Sequence, residues 1–183
     1  GDLAAGSLTA RQHLETCLAA IDSEDGRRAF ITVNAEDARA EADRVDAARA
    51  HGRALPPFAG VTLSVKDLFD IAGEVTRAGS TVLGDAAPAG HDAAVVARLR
   101  AAGFLIIGRT NMTEFAYSGI GMNPHYGNPR SPWERDNDGG RVAGGSSSGS
   151  AVSIADGMAA ATIGSDTGGS TRAPAAFCGI VGL

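Results

Sequence analysis

Over the first fifty residues the apolar positions recur at helical spacing. In "TARQHLETCLAAID", Leu14, Leu18 and Ile21 share one helical face, and Thr9 followed three residues later by Gln12 makes a capping-box start. "AFITVN" then has the β-branched texture of a short strand. The next run, "NAEDARAEADRVDAARAHG", predicts an alanine-rich helix capped by Asn34 and stopped by Gly52. Its few large apolar residues place it on the surface.

After Pro56 and Pro57 the pattern changes. "FAGVTLSVKDLFD" reads as a strand running into a polar loop, with Lys66 at the strand end. "DAAVVARLRAAG" is a second amphipathic helix ending at Gly103, and "FLIIGR" is an apolar strand of the buried, parallel kind. Strand, helix, strand in this order indicates an α/β architecture. A loop-rich stretch follows from Asn111 to Arg141. Beyond it "SAVSIAD" reads as a helix stopped by Gly157, and "AAATIGS" as a strand feeding "GSDTGGSTR". These apolar segments separate the Gly/Ser-rich region from a flexible linker.

Composition narrows the function classes. With 44 % apolar and 20 % charged residues over 183 positions the chain is of globular type, about one domain in size. No apolar run approaches the ~18 residues of a membrane span, and no secretory leader is visible, so a soluble, non-membrane protein is expected. A net charge of −5 argues against a nucleic-acid backbone as a direct partner. Cys17 and Cys178 form no C-x-x-C pair, which fits reduced thiols and the cytoplasm. His13, His51, His91 and His125 are isolated, so neither a metal nor a cofactor is expected. The closing "FCGIVGL" has the texture of core sequence and suggests a piece of a longer chain.

The basic residues carry the sharpest chemical signal. Of the 16 lysines and arginines, Lys66 is the only lysine. Arginine stays protonated in proteins, whereas a buried lysine can release its proton and act as a base. At a pKa near 10.4 only about one lysine in 2500 is neutral at pH 7, so a useful base needs a downward shift of ~3 units. The alternative is an ordinary surface cation beside Asp67. A phosphate loop is excluded because Val65, not glycine, precedes the lysine. Gly145 to Gly149 satisfies G-x-S-x-G around Ser147, but no strand precedes it and no histidine follows it. Position 63 is leucine, which removes an S-x-x-K reading. Serine chemistry with a lysine base is what remains. Thr167, Gly168, Gly169 and Ser170 would offer consecutive backbone N–H groups to an oxyanion.

"GGSSSGSA" followed by "GSDTGGSTRAPAAFCG", with "SVKDLFD" upstream, resembles the amidase signature family of serine hydrolases, over about Thr9 to Leu183. The resemblance implies a three-layer α/β/α sandwich around a mixed sheet, with residues 1–183 as the N-terminal part of a single amidase signature domain. It also implies a Ser-cisSer-Lys triad. Lys66 matches the general base, Ser146 the bridging serine after a cis peptide bond, and Ser170 the acyl-accepting nucleophile. The N–H groups of Thr167 to Ser170 would hold the oxyanion. Asp166 and Arg172 are read as a buried pair tying the loop, and Ser147, Ser148 and Ser150 as backbone-bonding loop and cap residues.

The activity so implied is hydrolysis of a small-molecule amide C–N bond. Two alternatives stand beside it: the glutamine-hydrolysing component of a tRNA-dependent amidotransferase, and a non-catalytic fragment. A homodimer is left open. Ala173 follows Arg172, so no second cation is expected there to select a carboxylate-bearing substrate.

Overall fold

A computed structural model describes residues 1–137 and 139–183. Four strands form one mixed sheet in the order β1-β3-β2-β4: β1 is Phe30–Val33, β2 Thr62–Lys66, β3 Leu105–Thr110 and β4 Ala161–Ile163. β2 runs parallel to both β3 and β4, while β1 pairs antiparallel with β3. The described helices are α1 (Asp2–Ala5), α2 (Ala10–Ile21), α3 (Glu24–Ala29), α4 (Ala35–Ala50), α5 (Ala94–Ala101), α6 (Ser148–Ala155) and α7 (Arg172–Cys178). None of them is long and apolar enough to cross a membrane.

The two faces of the sheet differ in chemistry. Leu63 and Val65 of β2 join Ile71, Val96 and Ile106 in an apolar cluster beneath α5. On the opposite face a larger core gathers Leu14, Cys17 and Ile21 of α2, Ala38, Ala42 and Val45 of α4, and Ala151 and Val152 of α6. Helices on both faces make the three-layer α/β/α arrangement. Successive side chains of a strand alternate in direction. Thr62, Ser64 and Lys66 therefore share the face of the larger core. Their polar partners come from its elements: Thr62 Oγ1 lies 3.4 Å from Cys17 Sγ, and Ser64 Oγ lies 2.8 Å from Ser153 Oγ.

The helix α2 has the expected capping box, Gln12 N donating to Thr9 Oγ1 at 3.0 Å. A second cap comes from α4, where the Asp46 carboxylate accepts from Ala10 N at 2.8 Å and Arg11 N at 3.0 Å. That carboxylate satisfies donors left unpaired at a helix start and ties α4 to α2. The expected Asn34 cap is not formed, because its Nδ2 donates to Glu74 Oε1 at 2.7 Å instead. The expected core placement of "FCGIVGL" holds for Cys178 and in part for Ile180, which packs against the larger core. Phe177 is 53 % and Val181 84 % exposed, since no described element covers them.

The end of β3 seats α6. Thr110 Oγ1 meets Ser150 Oγ at 2.8 Å, Gly149 N donates to Asn111 O at 2.9 Å, and Thr113 N donates to Ser146 O at 3.1 Å. This approach is close enough to require glycine at position 149. A Cβ there would lie 2.2 Å from Ala29 O and 2.7 Å from the backbone N and O of Asn111. Gly149→Ala is therefore expected to destabilise the fold by at least about 1–3 kcal/mol, the usual cost of overpacking against rigid backbone. Chemical denaturation checks this, and an unchanged midpoint would contradict the seating of α6.

Candidate active site

Lys66 closes β2 with its side chain fully buried. Its Nζ lies 2.7 Å from Ser146 Oγ and 2.8 Å from Ser165 Oγ. Both partners are neutral hydroxyls. Burial strips water from the ammonium form and pushes the lysine down from its ordinary 10.5 to about 8, against a smaller opposing pull from the Asp166 carboxylate. At about 8, roughly one molecule in ten carries a neutral amine at pH 7, against about one in three thousand at 10.5. The reading of Lys66 as a surface cation paired with Asp67 does not describe the structure. Asp67 turns to the other face of the sheet, where it accepts from Arg109 Nε at 2.6 Å.

Ser146 and Ser147 enter the site from the Gly/Ser loop ahead of α6. The peptide between Gly145 and Ser146 is cis, and both flanking backbone groups are anchored: Gly145 N donates to Gly119 O at 2.8 Å, and Ser146 O accepts from Thr113. Ser170 arrives on the loop after β4 and is joined to this segment through backbone, Ser147 N donating to Ser170 O at 3.1 Å. The Ser170 and Ser146 hydroxyls do not hydrogen-bond each other in this arrangement. Lys66 and Ser146 are thus in direct contact, and Ser170 is tied by its main chain to Ser147, the next residue along. Catalytic hydrogen bonds commonly close only once substrate is bound.

The oxyanion loop is organised by one carboxylate. Asp166 accepts from Gly169 N at 2.8 Å, Thr171 N at 3.1 Å and Arg172 N at 3.2 Å, and from Arg172 Nε and Nη2 at 3.0 Å each. These donors hold its carboxyl far below the usual carboxylate range, the Arg172 guanidinium contributing most. Two expectations change as a result. The pair ties the loop as read from sequence, but it is not buried. Arg172 sits in the first turn of α7, points outward and is 67 % exposed. The Gly169 N–H is occupied by Asp166, so Thr167, Gly168 and Ser170 carry the loop amides without a partner among the described residues.

The neighbouring serines also differ from expectation. Ser147 Oγ does bond backbone, reaching Ser165 O at 3.4 Å. Ser150 instead pairs with the Thr110 side chain, and Ser148 Oγ is buried with no partner among the described residues. Ser165 is a site residue that the sequence did not single out. Its only signal there is a hydroxyl just past β4, and only the parallel pairing of β4 with β2 brings it to Lys66. Among the described residues no cluster of three or more His, Cys, Asp or Glu could hold a metal ion.

A mixed sheet that delivers a buried lysine to a Gly/Ser loop defines an amidase-signature chain. The family model described as Amidase matches residues 12–183, and the protein belongs to that family. It is 48 % identical over 182 residues to AtzE, a component of the 1-carboxybiuret hydrolase of Pseudomonas sp. (strain ADP), covering 99 % of this chain and 39 % of that protein. It is 46 % identical to a component of the glutamyl-tRNA(Gln) amidotransferase of Synechococcus sp. (strain WH7803), covering 99 % of this chain and 36 % of that one. The X-ray structure of native peptide amidase from Stenotrophomonas maltophilia superposes with a TM-score of 0.83 at 35 % identity, covering 97 % of this chain and 37 % of that one. The chain spans less than two-fifths of the length of the curated relatives named here.

The depressed lysine leaves a thermodynamic trace. The folded state binds the Lys66 proton more weakly than the unfolded state, so its cost to stability is fully present below about 8 and is relieved as pH rises from about 8 to 10.5. Denaturant unfolding of wild type and Lys66→Met at pH 7 and pH 10 should show the wild type gaining up to about 3 kcal/mol relative to the variant. A difference that is the same at both pH values would contradict an unpaired buried ammonium.

Proposed function

We propose that the chain carries the acylating machinery of an amidase that hydrolyses carboxylic amides to an acid and ammonia or an amine. The observation supporting this most strongly is Lys66 itself, buried and, among the described residues, partnered only by the Ser146 and Ser165 hydroxyls, with burial pushing its pKa down to about 8. In this reading neutral Lys66 accepts a proton from Ser146 while Ser146 accepts one from Ser170. Ser170 Oγ bonds to the amide carbon and the carbonyl π pair moves to oxygen. The resulting oxyanion is met by the amides of Thr167, Gly168 and Ser170, each such donor being worth ~2.7–4 kcal/mol in comparable sites. The tetrahedral species collapses, the C–N bond breaks, and Ser146 gives a proton to the leaving nitrogen while the Lys66 ammonium returns its own to Ser146, which restores the neutral amine. Water then hydrolyses the Ser170 ester by the same relay. Each of these steps uses only side chains and amides of the chain, with water and substrate.

The substrate class we propose is a linear, non-peptide amide of small size, and residues 1–183 would form the N-terminal part of a single amidase domain. We place the enzyme in the cytoplasm on its two free cysteines, both buried. A second reading has a specific observation behind it: both curated relatives named above are components of larger enzymes, one of them an amidotransferase. Ammonia release that requires glutamine and a partner protein would favour that reading. Turnover of simple amides by the chain without a partner would favour the first.

Ser170→Ala should abolish labelling by a fluorophosphonate, and persistent labelling at another serine would remove the nucleophile assignment. Lys66→Arg should slow acylation to within about tenfold of Lys66→Ala, because arginine keeps the charge without serving as a base. Near-normal acylation by Lys66→Arg would remove the base role.

A further inference from the structure

Among the described residues the two largest fully buried side chains are both cations, Arg109 and Lys66. They lie on adjacent parallel strands, one register position apart. Lys66 pairs across the ladder with Thr110, and Arg109 with Val65. Their surroundings are opposite in kind. Among the described residues Lys66 has only hydroxyl partners, whereas Arg109 is surrounded by acceptors: Asp67 Oδ1 at 2.6 Å, Phe69 O at 2.8 Å, Thr76 Oγ1 at 3.2 Å and Glu74 Oε2 at 3.4 Å.

A bulge in β3 makes this separation possible. Leu63 pairs with Ile106, but the next residue, Ser64, pairs with Gly108, so Ile107 is an extra residue. An extra residue in one strand reverses which face its later side chains take. Beyond the bulge Arg109 shares a face with Val65 and Asp67, and Thr110 shares one with Lys66. In the regular register that precedes the bulge, the arginine would have stood beside Lys66.

We propose that Arg109 and Asp67 act as a pair of positioning residues for the lysine base. Arg109 cancels the charge of the carboxylate adjacent to Lys66 in sequence, and the sheet keeps that pair on the far side, so that neither member of the pair biases the amine. The proposal rests on the reading of Lys66 as a base. Among the described residues the other charged groups that bear on the amine are few: on the Arg109 side Glu74 lies 3.4 Å from the guanidinium. The loop after β4 contributes Asp166, which is held by Arg172 of α7. α6 contributes no charged residue. Asp67 is further fixed by accepting from Gly79 N at 3.0 Å, and Ala78 N donates to its carbonyl at 2.9 Å, so the pair also holds the segment that follows β2.

Two single variants should move the amine in opposite directions, a signature that loss of structure alone does not produce. The readout is the pH dependence of Ser170 phosphonylation by a fluorophosphonate, in which the Ser170 O–P bond forms and fluoride leaves, measured on the full chain. In wild type the rate should rise through a midpoint near 8. Asp67→Asn, nearly isosteric, leaves the guanidinium with the more distant Glu74 carboxylate, 3.4 Å away, as its partner, and should lower that midpoint by up to roughly 0.5–1 pH unit, the size expected of a partly compensated nearby charge at an effective dielectric near 20. Arg109→Gln leaves the carboxylate and should raise it, Arg109→Lys should keep the wild-type value, and the double variant Asp67→Asn/Arg109→Gln should return close to it. An Asp67→Asn protein that is phosphonylated with the wild-type midpoint overturns the proposal, as do single variants shifting in the same direction. The Asp67→Asn result decides on its own if the arginine variants fail to fold. A wild type with no titration near 8 would instead overturn the base reading, a distinguishable outcome.

Discussion

An ammonium group buried without a carboxylate in contact is the constraint on which this structure turns. The other fully buried cation, Arg109, is matched by the Asp67 carboxylate. Among the described residues Lys66 has no such partner, and its two hydrogen bonds are to hydroxyls that can serve either protonation state. Burying a charge without compensation is expensive, and the group responds by weakening its hold on the proton. A shift from 10.5 to about 8 corresponds to about 3 kcal/mol of discrimination against the charged form. The fold carries that cost at one position, where a neutral amine has a use.

Several elements cooperate to maintain it. The central strand β2 presents Thr62, Ser64 and Lys66 to one side, where Ser153 and Thr162 satisfy the Ser64 hydroxyl at 2.8 Å each. A fully satisfied neutral network adds no net charge on the lysine's side of the strand. The end of β3 supplies Thr110, Asn111 and Thr113 as a bed for α6 and for the loop that brings Ser146. β4 carries Ser165 to the amine and then turns into the Asp166 loop, whose carboxylate organises the backbone around Ser170. The Asp166 charge that pulls on the lysine is thus already engaged by five donors.

Much of this was legible in the chain, for physical reasons that differ from residue to residue. Strong periodicity revealed α2, α5 and the apolar β3, and the lone lysine among fifteen arginines pointed to Lys66. Ser146 and Ser170 came from a resemblance of motifs, which fixes positions along the chain but not hydroxyl geometry. Ser165 escaped because its contact depends on the pairing of β4 with β2, a long-range fact with no local signal. Arg109 read as the last residue of an apolar strand, and the bulge that turns it toward Asp67 leaves no mark in the residue types. The Asp166–Arg172 pair was correctly matched but wrongly placed inside, since pairing follows from charge and spacing whereas exposure depends on what covers α7. Asn34 illustrates competition: a good helix cap by type, it was claimed by Glu74 across the fold.

The most direct test uses the uniqueness of Lys66 in this chain. Labelling with ¹⁵N-lysine places a single side-chain Nζ in the spectrum, apart from any α-amino group, and its chemical shift can be followed through pH. One transition is expected, with a midpoint near 8, well below the ordinary 10.5. A midpoint at or above about 10 would show an ammonium that is solvated or paired, and would contradict the neutral, hydroxyl-bound base on which the proposed chemistry depends.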